Sequence, residues 1–265
     1  MNEVEYRKYP AISRSELWKL RESPEKFKWA MEHPEPPTPA LIFGQVFHKL
    51  ALEPMDFGTE FAVAPAVDRR TKDGKAAWAE FTAAADGKTV ITQDVFDKAS
   101  EMVCALDCAP FVKKLLDGAH ELPLFWTDEM TAEPCKVRLD ALSEVNGQPI
   151  IVDLKTTADA STDGFMRSAV RLGYHFQAAM YSEGYKQNTG KKPLFVFIAV
   201  EKEPPYSVNI LQADEAFINH GYDIFRELIG VYHDCKTTNN WYGFLGAYNV
   251  INNLGLPAYL AKEIE

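Results

Sequence analysis

Cysteine is scarce in this chain, and its placement excludes several kinds of site. The 265 residues include four cysteines, and none has the Cys-x-x-Cys spacing that is typical of structural zinc sites. Cys104 and Cys108 lie four residues apart in a predicted helix and therefore share a face. We expect reduced core cysteines in a reducing compartment, and neither a zinc site nor an iron–sulfur cluster.

Long apolar runs and an excess of positive charge are also missing. No stretch of about 18 apolar residues is present, so the sequence predicts no transmembrane helix, and the polar N-terminus is unlike a secretory signal. We expect a cytoplasmic protein with no membrane partner. Lys and Arg number 28 against 38 Asp and Glu, a net charge of −10. This balance disfavours a broadly basic DNA-binding surface but leaves room for a small basic channel.

The chain does contain enough apolar material for a large folded unit. Hydrophobic residues make up 46% of it, with five tryptophans, which argues against global disorder. The length suits one large domain, so we expect a single domain over 1–265 that ends in a tail at 246–265. Helical and strand patterns alternate in blocks, which predicts an α/β fold with a mixed central β-sheet flanked by helices.

Local patterns predict where the individual elements lie. Ser13 and Glu16 have the spacing of a capping box, so a helix is expected from Ile12 to Met31, broken or kinked at Pro24. Segment 67–75 is polar and basic and contains a glycine, which predicts a mobile loop. Further helices are expected at 41–52, 76–85, 93–106, 111–116, 162–171, 175–187 and 214–232, and strands at 121–131, 194–200 and 206–211.

Segment 135–157 predicts a β-hairpin. Two runs rich in β-forming residues flank Asn146-Gly147, the strongest short-range signal for a two-residue turn. That turn places Asp140 directly opposite Asp153. Alternation along both strands predicts a polar face that carries Arg138, Asp140, Asp153 and Lys155, and an apolar face that carries Val137, Leu139, Ala141, Val152 and Leu154.

The two opposed aspartates indicate a bound cation. Carboxylates directly across an antiparallel pair repel each other, and a divalent ion such as Mg²⁺ removes the conflict, because hard cations take carboxylate oxygens. Lys155, on the same face, can then reach an attacking water or a developing negative charge. The pattern indicates a metal-dependent hydrolytic site. A solvated strand face, with Arg138 and Lys155 neutralising the aspartates, is the alternative that spacing leaves open.

These residues form part of a longer series of motifs. In chain order the series is Gly44-x-x-x-His48, Asp140, Asp153-Leu154-Lys155 and Gln177-x-x-x-Tyr181. Its order and spacing resemble the RecB-like branch of the PD-(D/E)XK nuclease superfamily, and within it the RecE-type (exonuclease VIII) nuclease domains. The resemblance covers residues 11–245. It is supported by segments 12–17, 43–48 and 69–75.

The resemblance implies a role for each motif. Two carboxylates, one imidazole and one backbone carbonyl would hold Mg²⁺, for which Mn²⁺ would substitute. Lys155 would orient the attacking water and stabilise charge on phosphorus, and the Gln and Tyr of one helix face would contact the DNA backbone or brace the site. The candidate catalytic residues are His48, Asp140, Asp153, Lys155, Gln177 and Tyr181, and the candidate metal ligands are His48, Asp140, Asp153 and Leu154.

Contacts to DNA outside the metal centre are implied as well. The start of the first helix would hold a terminal 5′ phosphate, although a role of Ser13 as a helix cap is a strong alternative. The basic loop would touch a DNA strand, although its charges also suit an ordinary solvated surface. The candidate DNA- or phosphate-binding residues are Ser13, Arg14, Ser15, Arg69, Arg70, Lys72 and Lys75.

The implied activity is 5′-to-3′ degradation of one strand of linear double-stranded DNA by a homotetrameric ring. Such an enzyme would act in homologous recombination by single-strand annealing, with a RecT-type annealing protein as partner. Three alternatives stay open. They are an endonuclease or 3′-to-5′ nuclease of the same fold, a non-catalytic DNA-binding module, and a metal-dependent hydrolase of small molecules.

Overall fold

The fold was analysed in a computed structural model that describes residues 1, 3–246, 251 and 253–255. The predicted tail at 246–265 lies mostly outside the described residues. The helices are α1 (Glu3–Lys8), α2 (Arg14–Leu20), α3 (Pro24–Glu32), α4 (Pro39–Leu52), α5 (Phe57–Glu60), α6 (Lys72–Ala84), α7 (Gln93–Asp107), α8 (Pro110–Leu116), α9 (Thr162–Leu172), α10 (Tyr174–Thr189) and α11 (Glu215–Thr238). The strands are β1 (Ile12–Ser13), β2 (Phe61–Val63), β3 (Thr89–Ile91), β4 (Ala119–Thr127), β5 (Pro134–Val145), β6 (Gln148–Thr157), β7 (Leu194–Glu201) and β8 (Val208–Gln212).

Side-chain caps determine where the first helices begin. The Ser13 hydroxyl accepts the Glu16 N–H at 3.4 Å, and the Glu16 carboxylate accepts the Ser13 N–H at 2.7 Å, so the predicted capping box is present. The break predicted at Pro24 is confirmed, because α3 begins at that residue. Within the described part of the chain, no helix has the length and apolar composition needed to cross a membrane.

Segment 67–75 departs from the loop that the sequence predicts. Thr71 accepts the N–H of Gly74 at 3.0 Å and caps α6, which therefore begins at Lys72. Lys72 and Lys75 lie in a helix, and the loop prediction is wrong from residue 72 onward. The physical reason is that a threonine cap outweighs the low helix propensity of the glycine in the first turn.

In the described part of the chain, the main sheet has six strands and mixed pairing. Along the sheet the order is β1–β5–β6–β7–β8. Strand β4 pairs with β5 on the edge opposite to β6. The β1–β5 and β6–β7 pairs are parallel, whereas β4–β5, β5–β6 and β7–β8 are antiparallel. A separate two-stranded sheet joins β2 and β3. The predicted mixed sheet flanked by helices is confirmed.

The predicted hairpin is present as β5 and β6. Val145 pairs with Gln148, and the turn residues Asn146 and Gly147 have φ of 54° and 80°, as a type I′ turn requires. The paired register continues to Ala141 opposite Val152. The next position along this register places Asp140 beside Asp153, where the two strands separate.

Two apolar cores lie on opposite faces of the sheet. One is built with α2, α3, α9, α10 and α11, and the other with α4, α7 and α8. Alternate residues of β7 enter each core, with Phe195 and Phe197 in the first and Val196 and Ile198 in the second. The sheet is therefore covered on both faces, which explains the nearly continuous apolar run in β7.

The predicted assignment of apolar side chains to one hairpin face is wrong in part. Val137 and Leu139 enter the first core, whereas Ala141, Val152 and Leu154 enter the second. The period-two alternation of β5 is thus interrupted at Asp140. The neighbouring strand β4 is irregular at the same level, because Glu121 has a left-handed φ of 48°.

The cysteines differ from expectation in their burial. All four are free, but Cys104 and Cys108 are exposed, whereas Cys135 and Cys235 are buried. The prediction that Cys104 and Cys108 are core residues is wrong. Helix α7 presents a different stripe to the core, which includes Ala99, Met102 and Leu106.

Candidate metal centre and active site

The site is centred on the fork at which β5 and β6 separate. The Asp140 carboxylate accepts the backbone N–H of Leu154 at 2.8 Å. A side chain of one strand thus bonds the backbone of the other where the regular ladder has ended. This bond fixes Asp140 beside the segment Asp153-Leu154-Lys155, whereas the compact group of possible ligand atoms joins Asp140 to His48 and Glu121 and does not include Asp153.

Helix α4 brings His48 to the same place from the second core. Its Nε2 lies 2.9 Å from the Leu154 carbonyl oxygen, and its Nδ1 lies 3.6 Å from Asp140 Oδ2. Burial lowers the pKa of His48 more than the Asp140 carboxylate raises it. The imidazole is therefore neutral near neutral pH, which is the form that can bind a metal ion.

Asp153 and Lys155 form a buried ion pair on β6. Asp153 is 1% exposed, and its carboxylate pairs with the Lys155 ammonium. Burial raises the pKa of Asp153, and Lys155 opposes that shift. Burial acts to lower the pKa of Lys155, but the Asp153 and Asp140 carboxylates outweigh it, so its pKa is raised and the ammonium stays charged.

Helix α10 supplies the last two candidate catalytic residues. The Gln177 amide donates to Asp153 Oδ1, so this residue braces the carboxylate directly. Burial, together with the nearby Asp153 and Asp140 carboxylates, raises the pKa of Tyr181, whose hydroxyl therefore stays protonated. The structure brings all six candidate catalytic residues to one region.

Glu121 is a member of this site that the sequence analysis missed. It lies on β4 opposite Asp140, between the pairs His120–Ala141 and Leu122–Leu139. Its carboxylate pairs with Arg138 at 2.6 Å. An acid near the start of the otherwise apolar run Glu-Leu-Pro-Leu-Phe-Trp was the available signal in the sequence.

The donor set fits a divalent cation. One ligand atom from each of His48, Glu121 and Asp140 lies within 4.8 Å of the other two, and the Leu154 carbonyl is adjacent through its bond to His48. Carboxylate and carbonyl oxygens suit Mg²⁺ and Mn²⁺, and one neutral imidazole adds a donor more favourable to Mn²⁺. No thiolate is part of this cluster.

The residues expected to bind a terminal phosphate make hydrogen bonds within the protein. Arg14 donates from Nη2 to the carbonyl oxygens of Leu172 and Gly173 at 2.7 and 2.8 Å, and it thereby joins α2 to the end of α9. Ser13 caps α2, and its hydroxyl lies 3.2 Å from that of Ser15. Phosphate binding by Ser13, Arg14 and Ser15 stays a prediction.

The basic segment near α6 is exposed. Arg69 lies over the Trp78 ring, 4.1 Å from its centroid, and Arg70 pairs with Asp68 at 3.0 Å. Lys72 and Lys75 project from the first turn of α6 and are exposed. These positions suit contacts to a polyanion, and DNA binding by the four residues stays a prediction.

Solved structures share this fold. One named "Putative exonuclease", from Eubacterium rectale, superposes with a TM-score of 0.65 at 15% identity, and it covers 98% of this chain and 97% of that chain. At this identity the similarity shows the fold alone. The structure of SSO0001 has a TM-score of 0.39 at 11% identity, over 84% of this chain and 77% of that chain, and no inference rests on it. No curated protein matches this chain.

The sequence itself matches one protein family. Residues 13–252 match the family described as "PDDEXK-like domain of unknown function (DUF3799)". That range contains every candidate catalytic residue. Among them, Asp140 matches the first acid of the PD-(D/E)XK pattern, and Asp153-Leu154-Lys155 matches its (D/E)XK part. The chain belongs to this PDDEXK-like family.

Proposed function

We propose that the protein is a Mg²⁺-dependent nuclease that hydrolyses phosphodiester bonds of DNA at the β5–β6 fork. The observation that carries the proposal is the convergence of Asp140, Asp153 and Lys155 with His48 at one end of a PDDEXK-like sheet. This arrangement combines ligands for a hard cation with a charged ammonium group. The first can polarise the scissile phosphate and the second can stabilise the charge that develops during hydrolysis of a phosphodiester.

The residues have distinct roles in the proposed reaction. Asp140, Asp153, His48 and the Leu154 carbonyl would hold the ion, which when bound lowers the pKa of water and polarises the scissile phosphate. Lys155, kept protonated by its carboxylate neighbours, would orient the attacking water and stabilise charge on the phosphate oxygens. Gln177 holds one oxygen of Asp153 in place, and the Tyr181 hydroxyl would donate to the DNA backbone.

We further propose that the substrate is the end of linear double-stranded DNA and that one strand is degraded 5′ to 3′, as in RecE-type nucleases. Support comes from the ordered motif series, from the exonuclease name of the solved structure with the same fold, and from the exposed basic group near α6. The same resemblance supports a homotetrameric ring and a RecT-type annealing partner in cytoplasmic recombination. A ring would place basic residues inside and acidic residues outside, consistent with the net charge of −10.

Digestion of linear and nicked circular DNA in Mg²⁺ tests this function. The wild type should degrade linear duplex from its ends and leave the nicked circle intact, and Asp140→Ala should lower the rate by at least about a hundredfold. Substrates labelled at either end, with and without a 5′ phosphate, measure the polarity. Glu144→Gln, an exposed acid on the same strand, is the matched control and should keep full activity.

The same experiment separates the alternatives. Cleavage of the circle would identify an endonuclease, and loss of the 3′ label first would identify the opposite polarity. DNA binding without cleavage, unchanged by Asp140→Ala, would identify a non-catalytic module. Absence of both binding and cleavage would contradict the nuclease proposal and favour a hydrolase of small molecules.

A further inference from the structure

The outward side of α9 carries apolar and basic residues next to each other. Met166 and Val170 are large and apolar, yet they are 52% and 53% exposed. Arg167 and Arg171, the residues that follow them, are exposed as well. Because residues four apart lie on one side of a helix, the four side chains form two neighbouring rows, one apolar and one basic. We call these four residues the α9 face.

The apolar row of the α9 face does not stabilise the fold. Helix α9 packs against the sheet through Phe165 and Ala169, which belong to the first core. Met166 and Val170 lie on the other side of the helix and are exposed. A single exposed apolar residue is ordinary, but two in one row beside two cations suit a ligand that has both apolar and anionic parts.

The two arginines are also not used by the fold. For the residues that the structure describes, neither guanidinium forms an ion pair or a hydrogen bond. Hydrogen bonds from Ser161 lower the pKa of Asp159, and Arg167 is the weakest of the causes. Asp163, an exposed acid one turn before Arg167, does not pair with it either. Both positive charges, on Arg167 and on Arg171, are therefore available to an anion.

The C-terminal end of the α9 face borders the metal centre through Tyr174. The Lys155 ammonium lies 5.1 Å from the centroid of the Tyr174 ring. Burial raises the pKa of Tyr174, whereas Lys155 and, more weakly, Arg171 lower it, so both cations lie near this ring. Arg14 fixes this end of α9 by two hydrogen bonds to backbone carbonyl oxygens. A strand that passes from Lys155 over Tyr174 would reach Arg171 first and Arg167 next.

We propose that the α9 face binds single-stranded DNA beside the metal centre, with phosphates on Arg171 and Arg167 and unpaired bases against Val170 and Met166. This inference rests on the proposed function, because it names the form of DNA that is held next to the site. The apolar row favours a single strand over a duplex, since unpaired bases expose their faces to protein side chains, whereas duplex bases cover one another. The arginines lie about 6 Å apart along the helix axis, which allows contacts to neighbouring phosphates of one strand.

Fluorescence anisotropy with a labelled oligothymidylate tests the basic row. The measurement is made in EDTA, so that metal-dependent cleavage does not interfere. Arg167→Gln/Arg171→Gln should weaken binding by at least about tenfold at low salt and lower the slope of log affinity against log salt by about 0.7 for each lost contact. The affinity for blunt duplex DNA should fall less. Lys191→Gln/Lys192→Gln removes the same charge elsewhere and should match the wild type.

Met166→Ser/Val170→Ser tests the apolar row. Affinity for oligothymidylate should fall by about fivefold through lost apolar contact, with an unchanged salt slope and an unchanged affinity for blunt duplex DNA. Wild-type affinity for oligothymidylate in both double variants would overturn the proposal. Analytical ultracentrifugation tests another occupant: if the serine variant changes the association state but not DNA binding, the α9 face joins copies of this chain and the proposal is wrong.

Digestion of DNA in Mg²⁺ separates this inference from the nuclease function. A protein that cleaves DNA, but whose affinity for oligothymidylate is the same in both double variants, would retain the nuclease function and refute the role of the α9 face. A protein that loses oligothymidylate in both double variants, but whose wild type cleaves no DNA, would retain the α9 face as a binding site and refute the nuclease function.

Discussion

At the scale of single residues, burial and immediate neighbours set the charges at the fork. The Lys155 ammonium is held against Asp153 and lies 5.1 Å from the centroid of the Tyr174 ring. Asp153 is buried and also receives the Gln177 amide. The Asp153 carboxylate is therefore stabilised by the paired Lys155 charge, by the more weakly acting Arg14 and by one hydrogen bond from Gln177. Removal of the charge should affect both stability and chemistry.

Lys155→Met leaves the buried Asp153 carboxylate without its cation. In EDTA at neutral pH, the free energy of unfolding should fall by about 3 kcal/mol, because the buried carboxyl must either stay unpaired or take up a proton. In Mg²⁺, the rate of DNA cleavage should fall by at least about a hundredfold, since the water and the phosphate lose their positive partner. Urea denaturation and single-turnover digestion measure the two effects.

The double variant Lys155→Met/Asp153→Asn is the control for this explanation. Replacement of the carboxylate by a neutral amide removes the uncompensated charge, so most of the lost stability should return, while cleavage stays absent. If the double variant is as unstable as Lys155→Met alone, the loss arises from packing around the lysine stem and not from the ion pair.

The positions of site residues can be predicted from the sequence where neighbouring residues along the chain determine the backbone geometry. Asp140, Asp153 and Lys155 can be placed together because a two-residue turn fixes the register of a hairpin. Glu121 cannot, since its place depends on a left-handed backbone in the middle of a strand, and such a conformation is rare for glutamate. Helix contacts such as Gln177 with Asp153 are long-range, and only the motif resemblance indicated them.

At the scale of elements, the junction between α9 and α10 positions the helix that carries Gln177. Gly173 ends α9 with a left-handed φ of 71°, and its carbonyl accepts both Arg14 Nη2 and the N–H of Gln177, at 2.8 and 3.1 Å. A Cβ at this position would overlap the ring of Trp18. The direction of α10 thus depends on a residue without a side chain.

Gly173→Ala should destabilise the protein and lower cleavage. The left-handed conformation alone costs about 1–2 kcal/mol for a residue with a side chain, and overlap with Trp18 adds about 1–3 kcal/mol. Gly190→Ala is a matched control, because Gly190 has φ of 72° and open space around it. Urea denaturation of both variants isolates the packing contribution, and equal losses would show that Trp18 moves aside without cost.

Element-scale prediction is accurate where a cap, a proline or an Asn-Gly turn marks the boundary. The break at Pro24 and the hairpin turn are confirmed for this reason. The start of α6 is missed, because a glycine and several charges conceal the cap at Thr71. The faces of β5 are misassigned beyond Asp140 because strand alternation assumes a regular backbone, and nothing in the sequence marks the irregularity.

At the scale of the whole molecule, the excess of acidic groups makes the proposed DNA binding dependent on a few basic residues. The net charge is −10, so non-specific attraction to DNA is weak. Arg69 and Arg70 are exposed, and the side chain of Arg70 is 92% accessible. They therefore offer clear candidates for a measurable share of the phosphate contacts.

Arg69→Gln/Arg70→Gln should weaken DNA binding and reduce its dependence on salt. Each lost phosphate contact changes the slope of log affinity against log salt by about 0.9, while Mn²⁺ binding stays unchanged. Lys191→Gln/Lys192→Gln removes the same charge at exposed residues on the loop before β7. Fluorescence anisotropy with duplex DNA at several salt concentrations compares the pairs, and identical slopes would exclude a specific role for the α6 segment.

The fork between β5 and β6 also bears on which ions the protein accepts. Asp153 lies on a strand that is paired with β7 from Ile150 to Thr157, whereas the pairing of β5 with β6 stops at Ala141. Asp140 is held across the fork by its hydrogen bond to the Leu154 N–H and by the pairing of β5 with β4, so the gap between Asp140 and Asp153 is set by one side-chain bond and not by a ladder. The range of ionic radii that fits between the two carboxylates is therefore set by how far this one bond can lengthen.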